Sequence, residues 1–191
     1  DADAGIETVL NHPVTALDHD GQRWQLHCQS ERGGTEIISA DKVVVACAAS
    51  AKALLPELNL TKVHGQILSF TAPSDFSALE RPLNCGHSLL PHANGRLSWG
   101  ASFRHKIETA QILSEETDRL LVDFEQCFGL RIEAEAIDLQ VWAGLRCTQP
   151  SRLPMIGAVP DRPDGLYVHL AHGARGSLTA ALMMPQGLYG A

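Results

Sequence analysis

The run Lys42–Ala48, KVVVACA, decides the fold class of this 191-residue sequence. Its unbroken apolar centre favours a strand that is buried on both faces of an α/β sheet, with Cys47 as a small buried thiol. A second apolar strand pattern, Leu166–Ala171, precedes the glycine turn HGARGS and the helical pattern LTAAL. Together these segments predict a mixed α/β fold containing a nucleotide-binding domain.

Segments of alternating apolar and polar residues surround this run and predict antiparallel strands. Asp20-Gly21 and Asn94-Gly95 each lie between two such segments and are strong hairpin signals. The stretch 114–128 has helical spacing, with Ser114 as the expected N-cap and Gly129 as the expected stop. We therefore expect one helix within a mainly antiparallel region.

The order of these patterns predicts an interrupted domain. Residues 1–61 and 146–191 are expected to form a partial nucleotide-binding domain, and residues 62–145 an antiparallel substrate subdomain. Neither part contains a complete set of the elements that such domains need, so we expect the sequence to be a piece of a larger protein.

Composition and charge limit the function classes. The net charge of −7 gives no electrostatic support for a nucleic-acid partner, although a local basic stripe could still provide one. The five cysteines are odd in number and lack C-x-x-C spacing, so no disulfide framework or zinc site is expected. A reducing, cytoplasmic setting follows, and the sequence offers no membrane segment or signal peptide pattern.

Arg146 is the most unusual charged residue, because it follows an apolar β-like run in the stretch VWAGLRCTQPSRLPMIG, Val141–Gly157. A guanidinium is costly to bury unless it meets an anion. Three alternatives stay open: Arg146 reaches water, pairs with an internal carboxylate, or binds an anionic ligand through two hydrogen bonds. Arg152, in a predicted loop, is the competing candidate.

The turn HGARGS, His172–Ser177, joins a predicted strand to a predicted helix. Two glycines allow the backbone to pass close to a ligand, and the free N–H groups of a helix start favour an anion. An ordinary strand–helix turn is the alternative. The other motifs argue against other chemistries: the nine histidines form no metal-binding pattern, and no G-x-S-x-G, Walker A or G-x-G-x-x-G motif occurs.

Five blocks of the sequence, in their order, resemble the D-amino-acid-oxidase-like family of FAD enzymes: KVVVACAAS, VHGQILSF, LSWGAS, WAGLRCTQPSRLPMIGAVP and LAHGARGSLTAAL. Within this family, AGLRCTQPSRLPMIG is most similar to the C-terminal oxidoreductase domain of bacterial bifunctional tRNA-modification enzymes. The resemblance runs from about Val14 onward. The sequence lacks the βαβ unit with G-x-G-x-x-G with which the family opens. The resemblance therefore implies a fragment without that dinucleotide-binding unit.

The resemblance implies that FAD is the cofactor and assigns its contacts. Val14 would meet the adenine and Ala46 would lie beside the FAD, although plain strand packing is the alternative for both. Gly65 and Gln66 would lie near the isoalloxazine ring. Arg146 would hold the substrate carboxylate. The residues that would lie under the flavin pyrimidine are Gly173, Ala174, Arg175, Gly176 and Ser177.

The implied reaction is FAD-dependent oxidative removal of the carboxymethyl group from 5-carboxymethylaminomethyl uridine at the tRNA wobble position. The substrate would be tRNA, and no metal would be needed. A methyltransferase domain of the same polypeptide, using S-adenosyl-L-methionine, would then methylate the amine. Two alternatives stay open: a glycine or D-amino-acid oxidase or dehydrogenase of the same family, and a non-catalytic fragment or interaction module.

Overall fold

The computed structural model describes residues 5–30, 33–133 and 138–182 and divides the chain into two units, each with its own core. The first unit comprises Asp1–Thr61 and Cys147–Ala191, and the second comprises Lys62–Arg146. The second unit ends one residue later than the boundary at residue 145 that was expected from the sequence, so Arg146 belongs to the second unit.

An antiparallel sheet of three strands opens the first unit: β1 (Val14–His19), β2 (Trp24–Gln29) and β3 (Thr35–Ala40). The predicted hairpin at Asp20-Gly21 is confirmed, with β1 and β2 paired on either side of it. The carboxylate of Asp20 accepts hydrogen bonds from the backbone N–H groups of Gln22 at 2.9 Å and Arg23 at 2.8 Å. Gly21 adopts a φ of 99°, which favours glycine at that position.

The other sheet of the first unit has the order β10-β11-β4. Its strands are β4 (Val43–Val45), β10 (Met155–Ala158) and β11 (Leu166–Leu170), and β11 runs parallel to β4. The prediction that the KVVVACA strand is buried on both faces is wrong for the described residues, because Val44 is 39% exposed. Cys47 is also exposed, which corrects the prediction of a buried thiol.

The core of the first unit is formed by alternate residues of β4 and β11, by Trp24 of β2, and by residues of the segment 51–60 that follows β4. Trp24 is buried, and its indole N–H donates to the carbonyl oxygen of Asp164 at 2.9 Å, so the buried polar atom has a partner. The other buried members are Val43, Val45, Ala51, Leu55, Leu58, Leu60, Cys147, Val159, Leu166, Val168, Leu170 and Ala171.

The strand–turn–helix prediction near the end of the chain is confirmed. Strand β11 is followed by a 3₁₀ turn, Gly173–Arg175, and then by helix α2, Gly176–Leu182. A second 3₁₀ segment, Ala48–Ala53, follows β4.

The second unit is built on a five-stranded sheet with the order β6-β7-β8-β5-β9. Its strands are β5 (Thr61–Thr71), β6 (Leu83–Cys85), β7 (His87–Pro91), β8 (Arg96–Gly100) and β9 (Gln140–Thr148). The predicted Asn94-Gly95 hairpin is confirmed between β7 and β8. A 3₁₀ segment, Ser74–Phe76, follows β5.

The predicted helix of the second unit, α1, spans Ser114–Phe128 and ends at Gly129, whose φ of 68° is left-handed. The N-cap is Leu113, so the prediction that Ser114 caps the helix is wrong by one residue. The core between α1 and the sheet is rich in aromatic rings that meet edge to face. Its buried members are Leu68, Phe70, Leu89, Leu97, Trp99, Leu120, Phe124 and Ile132.

A disulfide joins Cys85, at the end of β6, to Cys127 in α1, with their Cα atoms 6.0 Å apart. This bond corrects the expectation that no cysteine pair forms. The two residues are 42 positions apart, and packing of α1 beside β6 brings them together. In the described parts of the chain, no helix is both long and apolar enough to cross a membrane.

Candidate active site

Arg146 lies on β9, and its guanidinium is half-buried. Its Nη1 donates a hydrogen bond to the carbonyl oxygen of Ser102 at 3.2 Å, and its Cζ lies 4.2 Å from the ring centroid of Phe103. None of the ion pairs formed within residues 5–30, 33–133 and 138–182 involves Arg146. The described residues therefore do not show the second of the three alternatives, in which Arg146 pairs with an internal carboxylate.

Burial without a carboxylate has an electrostatic consequence. It lowers the pKa of the Arg146 guanidinium from its ordinary value, because desolvation disfavours the charged form. The group nevertheless stays protonated at neutral pH. A partly desolvated cation of this kind gains from an added anion, since the anion restores the interaction that water no longer provides.

Gly65 on β5 makes room for this guanidinium. A Cβ atom on Gly65 would overlap Nη1 of Arg146 and lie 2.6 Å from Nη2. The absence of a side chain therefore lets the planar group lie directly on the backbone of the neighbouring strand.

The segment that holds Arg146 is itself fixed to β5. The backbone N–H of Ser102 donates to the carbonyl of Gln66 at 3.0 Å, and the N–H of Gln66 donates to the Ser102 hydroxyl at 3.0 Å. Arg104 and His64 exchange two backbone hydrogen bonds of 2.9 Å each. The carbonyl and the ring that contact Arg146 are thus carried by a hydrogen-bonded strand segment.

An ion pair between the partly exposed Arg104 and the buried Glu116 ties the same segment to α1. The Nε of Arg104 donates to Oε1 of Glu116 at 2.6 Å. Glu116 is fully buried, and no hydrogen-bond partner for its Oε2 is found among the described residues. Removing Arg104 would leave the buried Glu116 carboxyl without this partner, so the pair fixes the position of this segment relative to α1.

The side chain of Gln66, a predicted FAD contact, forms hydrogen bonds with residues at the start of α1. Its Nε2 donates to the carbonyl of Leu113 at 3.1 Å and to the hydroxyl of Thr117 at 2.8 Å. Its Oε1 accepts the N–H of Leu113 at 2.9 Å. The amide therefore holds the start of α1, and a contact between Gln66 and FAD stays a prediction.

The glycine turn lies in the first unit. Gly173 has a φ of 58°, and a Cβ there would come within 3.4 Å of Thr148. Three side chains of the predicted flavin-binding turn are exposed: Ala174, Arg175 and Ser177. Gly176 begins α2, so all five predicted residues lie together on one short bend.

His172 precedes this turn and forms a chain of hydrogen bonds. Its Nδ1 and the Thr179 hydroxyl are 2.8 Å apart, and its Nε2 and the Nδ1 of His169 are 3.2 Å apart. The pKa of His172 lies below its ordinary value, mainly because the ring is partly buried and secondarily because His169 lies beside it. The folded state therefore favours the neutral ring, so the associated stability is present above the ordinary histidine pKa of about 6.5 and is lost as the pH falls from there through the lowered pKa of His172.

Val14 and Ala46 are brought together by the fold of the first unit. Both line an apolar cleft of about 370 Å³ between β1 and β4. Flat apolar rings are suited to such walls. The apolar walls of the cleft are therefore compatible with a flat ring such as adenine, and contacts of Val14 and Ala46 with FAD stay a prediction.

Arg152, the competing candidate, is exposed on a turn where its φ is 60°. Its backbone N–H closes the turn by donating to Gln149 at 2.9 Å. Arg146, unlike Arg152, is partly buried, and its role as the anion-binding residue stays a prediction. Ser102, which ends the block LSWGAS, and Phe103, which follows it, were not predicted as site residues. Their contacts with Arg146 join residues that are more than forty positions apart in the sequence.

We expect Gly65→Ala to weaken binding of a small carboxylate such as glycolate by at least about tenfold, the loss expected from one charge-assisted hydrogen bond. The added Cβ must displace the Arg146 guanidinium. The measurement is a titration of the flavin absorbance of the complete protein. Gly34→Ala is the matched control, because no atom lies within 4 Å of its Cβ position. Unchanged affinity in Gly65→Ala would contradict the described geometry.

Comparison with known proteins gives a family match over nearly the whole chain. The profile of the family described as FAD dependent oxidoreductase matches residues 2–183. The tRNA 5-methylaminomethyl-2-thiouridine biosynthesis bifunctional protein MnmC of Ectopseudomonas mendocina is 30% identical over 211 aligned positions, covering 91% of this chain and 32% of that protein. The protein of the same name from Pseudoalteromonas atlantica is 28% identical, covering 82% of this chain and 23% of its own length.

Solved structures show the same fold. Glycine oxidase from Geobacillus kaustophilus has a TM-score of 0.76 at 23% identity, covering 90% of this chain and 45% of the oxidase. Iminodiacetate oxidase from Chelativorans has a TM-score of 0.70 at 19% identity, covering 88% and 46% respectively. The chain spans about a third or less of the length of the curated relatives named above.

Proposed function

We propose a function from one established premise: this chain belongs to the family of FAD-dependent oxidoreductases, whose cofactor is FAD. The predicted family, mixed α/β fold, enzyme class and cofactor are confirmed at this level. Beyond it, we propose that the chain is part of an enzyme that removes the carboxymethyl group of 5-carboxymethylaminomethyl uridine at the tRNA wobble position. The names of the relatives support this choice of substrate.

Arg146 carries the proposal. Its guanidinium is half-buried, has no carboxylate partner among the described residues, and is held by Ser102 and Phe103. In the proposed reaction it binds the substrate carboxylate and thereby fixes the neighbouring carbon. Bound FAD would supply the hydride acceptor for the oxidation of that carbon. The resulting substrate imine hydrolyses to the aminomethyl nucleoside and glyoxylate.

The remaining predicted site residues are proposed to hold the cofactor. Val14 and Ala46 would bind the adenine in the apolar cleft of the first unit. Gly65 and Gln66 would lie near the isoalloxazine ring. The bend Gly173–Ser177 would lie beneath the flavin pyrimidine, where its backbone N–H groups favour negative charge. The adenine and the flavin pyrimidine would thus contact residues of the first unit, whereas Gly65, Gln66 and the substrate-binding Arg146 belong to the second.

The proposal extends to partners and setting. A methyltransferase domain of the same polypeptide, using S-adenosyl-L-methionine, would methylate the exposed amine, consistent with the word bifunctional in the relatives' name. The whole enzyme would act in the cytoplasm, where it meets tRNA.

A second candidate is an oxidase or dehydrogenase that acts on free glycine or D-amino acids. The similarity to the glycine oxidase fold and the net charge of −7 favour it, because a free amino acid requires no basic surface. The same Arg146 would then hold the carboxylate of the small substrate.

One experiment separates these candidates from a non-catalytic fragment. The complete protein that contains this chain is purified, its flavin absorbance is recorded, and it is given either modified tRNA or free glycine. We expect a yellow protein that converts the tRNA nucleoside far faster than glycine. Preferential oxidation of glycine would support the second candidate, and a colourless protein that oxidises neither would overturn both.

A further inference from the structure

Trp142 is the exposed tryptophan of the second unit. The indoles of Trp24 and Trp99 are almost fully buried, whereas Trp142 is 63% exposed. Trp142 lies on β9, an edge strand of the five-stranded sheet. Exposing so much aromatic surface forfeits the stabilisation that burial of an indole provides, so a ligand that covers the ring would recover it.

Trp142 and Arg146 lie on the same face of β9. Side chains alternate along a strand, so Trp142, Gly144 and Arg146 point one way. Val141 points the other way and packs against the core beneath α1. The face that carries Trp142 and Arg146 is therefore the face turned away from that core.

The indole of Trp142 extends along the strand toward Arg146. A Cβ on Gly144 would overlap the indole Cη2 and lie 2.9 Å from Cζ3 and 3.0 Å from Cζ2. The six-membered ring thus covers Gly144, two residues before Arg146. Two residues of a strand span roughly 6.6 Å, so an exposed aromatic plane and a guanidinium lie within one small ligand's length.

Phe103 limits the freedom of the guanidinium on this face. Its ring, 55% exposed, stacks on Arg146 at 4.2 Å. The Ser102 carbonyl fixes Nη1 as well. The cation is therefore held in place, and a ligand bound to it would have its flat part directed to a defined position.

These observations require a ligand that combines a flat ring with an acid group a few bonds away. A pyrimidine base with an acidic substituent has this form. Unpaired bases of RNA stack on exposed aromatic side chains, and stacking tolerates modified rings because every base has a π-face.

We propose that Trp142 stacks on the uracil ring of the modified nucleotide while Arg146 binds the carboxylate of its side chain. This inference rests on the proposed function and adds a recognition residue that distinguishes a nucleoside substrate from a free amino acid. A small amino acid can reach Arg146, but it has no ring to place on Trp142.

The test compares two carboxylate probes that lack an oxidisable amine: 5-carboxymethyluridine, which carries the base, and glycolate, which does not. Both are titrated into the complete flavin-loaded protein by calorimetry. We expect Trp142→Ala to weaken 5-carboxymethyluridine binding by about tenfold and to leave glycolate binding within twofold of the original. Trp142→Phe should restore most of the lost affinity, because a phenyl ring still stacks.

Val122→Ala, which removes an exposed apolar side chain on α1, is the matched control and should affect neither probe. Equal weakening of both probes by Trp142→Ala, or none, would overturn the stacking role. Tight binding of glycolate without binding of 5-carboxymethyluridine would overturn it too, while leaving the second candidate function in place. Binding of neither probe to the original protein would overturn the proposed function together with this inference.

Discussion

Replacing Arg146 with alanine is expected to lower kcat/KM for the carboxylate-bearing substrate by about 100-fold, while the FAD content of the purified protein is unchanged. A bidentate, charge-assisted interaction contributes roughly 3 kcal/mol, which corresponds to this factor. We expect FAD to be retained because Arg146 does not line the cleft proposed for the adenine.

Steady-state kinetics and the ratio of flavin to protein measure the two effects separately. Arg146→Lys is the matched variant, because lysine retains the charge but cannot form two parallel hydrogen bonds with one carboxylate. Its kcat/KM is expected to lie between those of the original protein and Arg146→Ala. Equal losses of FAD and of substrate turnover in Arg146→Ala would count against the role of Arg146 as the substrate anchor.

Removing the Cys85–Cys127 disulfide is expected to give the largest change in stability. The bond closes a loop with a sequence separation of 42 residues. Chain entropy assigns such a bond about 4 kcal/mol, because the cross-link restricts the unfolded chain. Urea unfolding of the double variant Cys85→Ser, Cys127→Ser should therefore begin at a lower denaturant concentration than unfolding of the original protein.

The exposed free thiol of Cys47 provides the control for this experiment. Cys47→Ser should unfold like the original protein under oxidising conditions, and a reductant should destabilise both proteins to the level of the double variant. Identical unfolding curves with and without reductant would show that the cross-link does not stabilise the second unit. The result also bears on the proposed setting, since a reducing cytoplasm disfavours disulfides.

Local signals in the sequence predicted most of the secondary structure. Asp20-Gly21 and Asn94-Gly95 specify their hairpins through turn chemistry that needs no distant partner. Gly129 ends α1 as expected, for the same reason. The cap of α1 was misplaced because the Gln66 side chain, far away in the sequence, binds Leu113.

Features that depend on distant contacts were not predictable in this way. The Cys85–Cys127 bond was not predicted because the number of cysteines is odd and the two bonded cysteines are far apart in the sequence. An apolar run cannot reveal by itself whether both faces of its strand are covered, and Val44 is exposed. At the candidate site, Arg146 was identified from its apolar surroundings, whereas Ser102 and Phe103 became evident only when the strands were placed side by side.

The central claim is that the Arg146 guanidinium binds the substrate carboxylate, and a crystal structure of the complete protein with bound glycolate tests it most directly. We expect both carboxylate oxygens at about 2.7–2.9 Å from guanidinium nitrogens of Arg146, with Phe103 still stacked on the same group. A carboxylate bound elsewhere, with Arg146 paired to an acidic side chain of the protein, would contradict it.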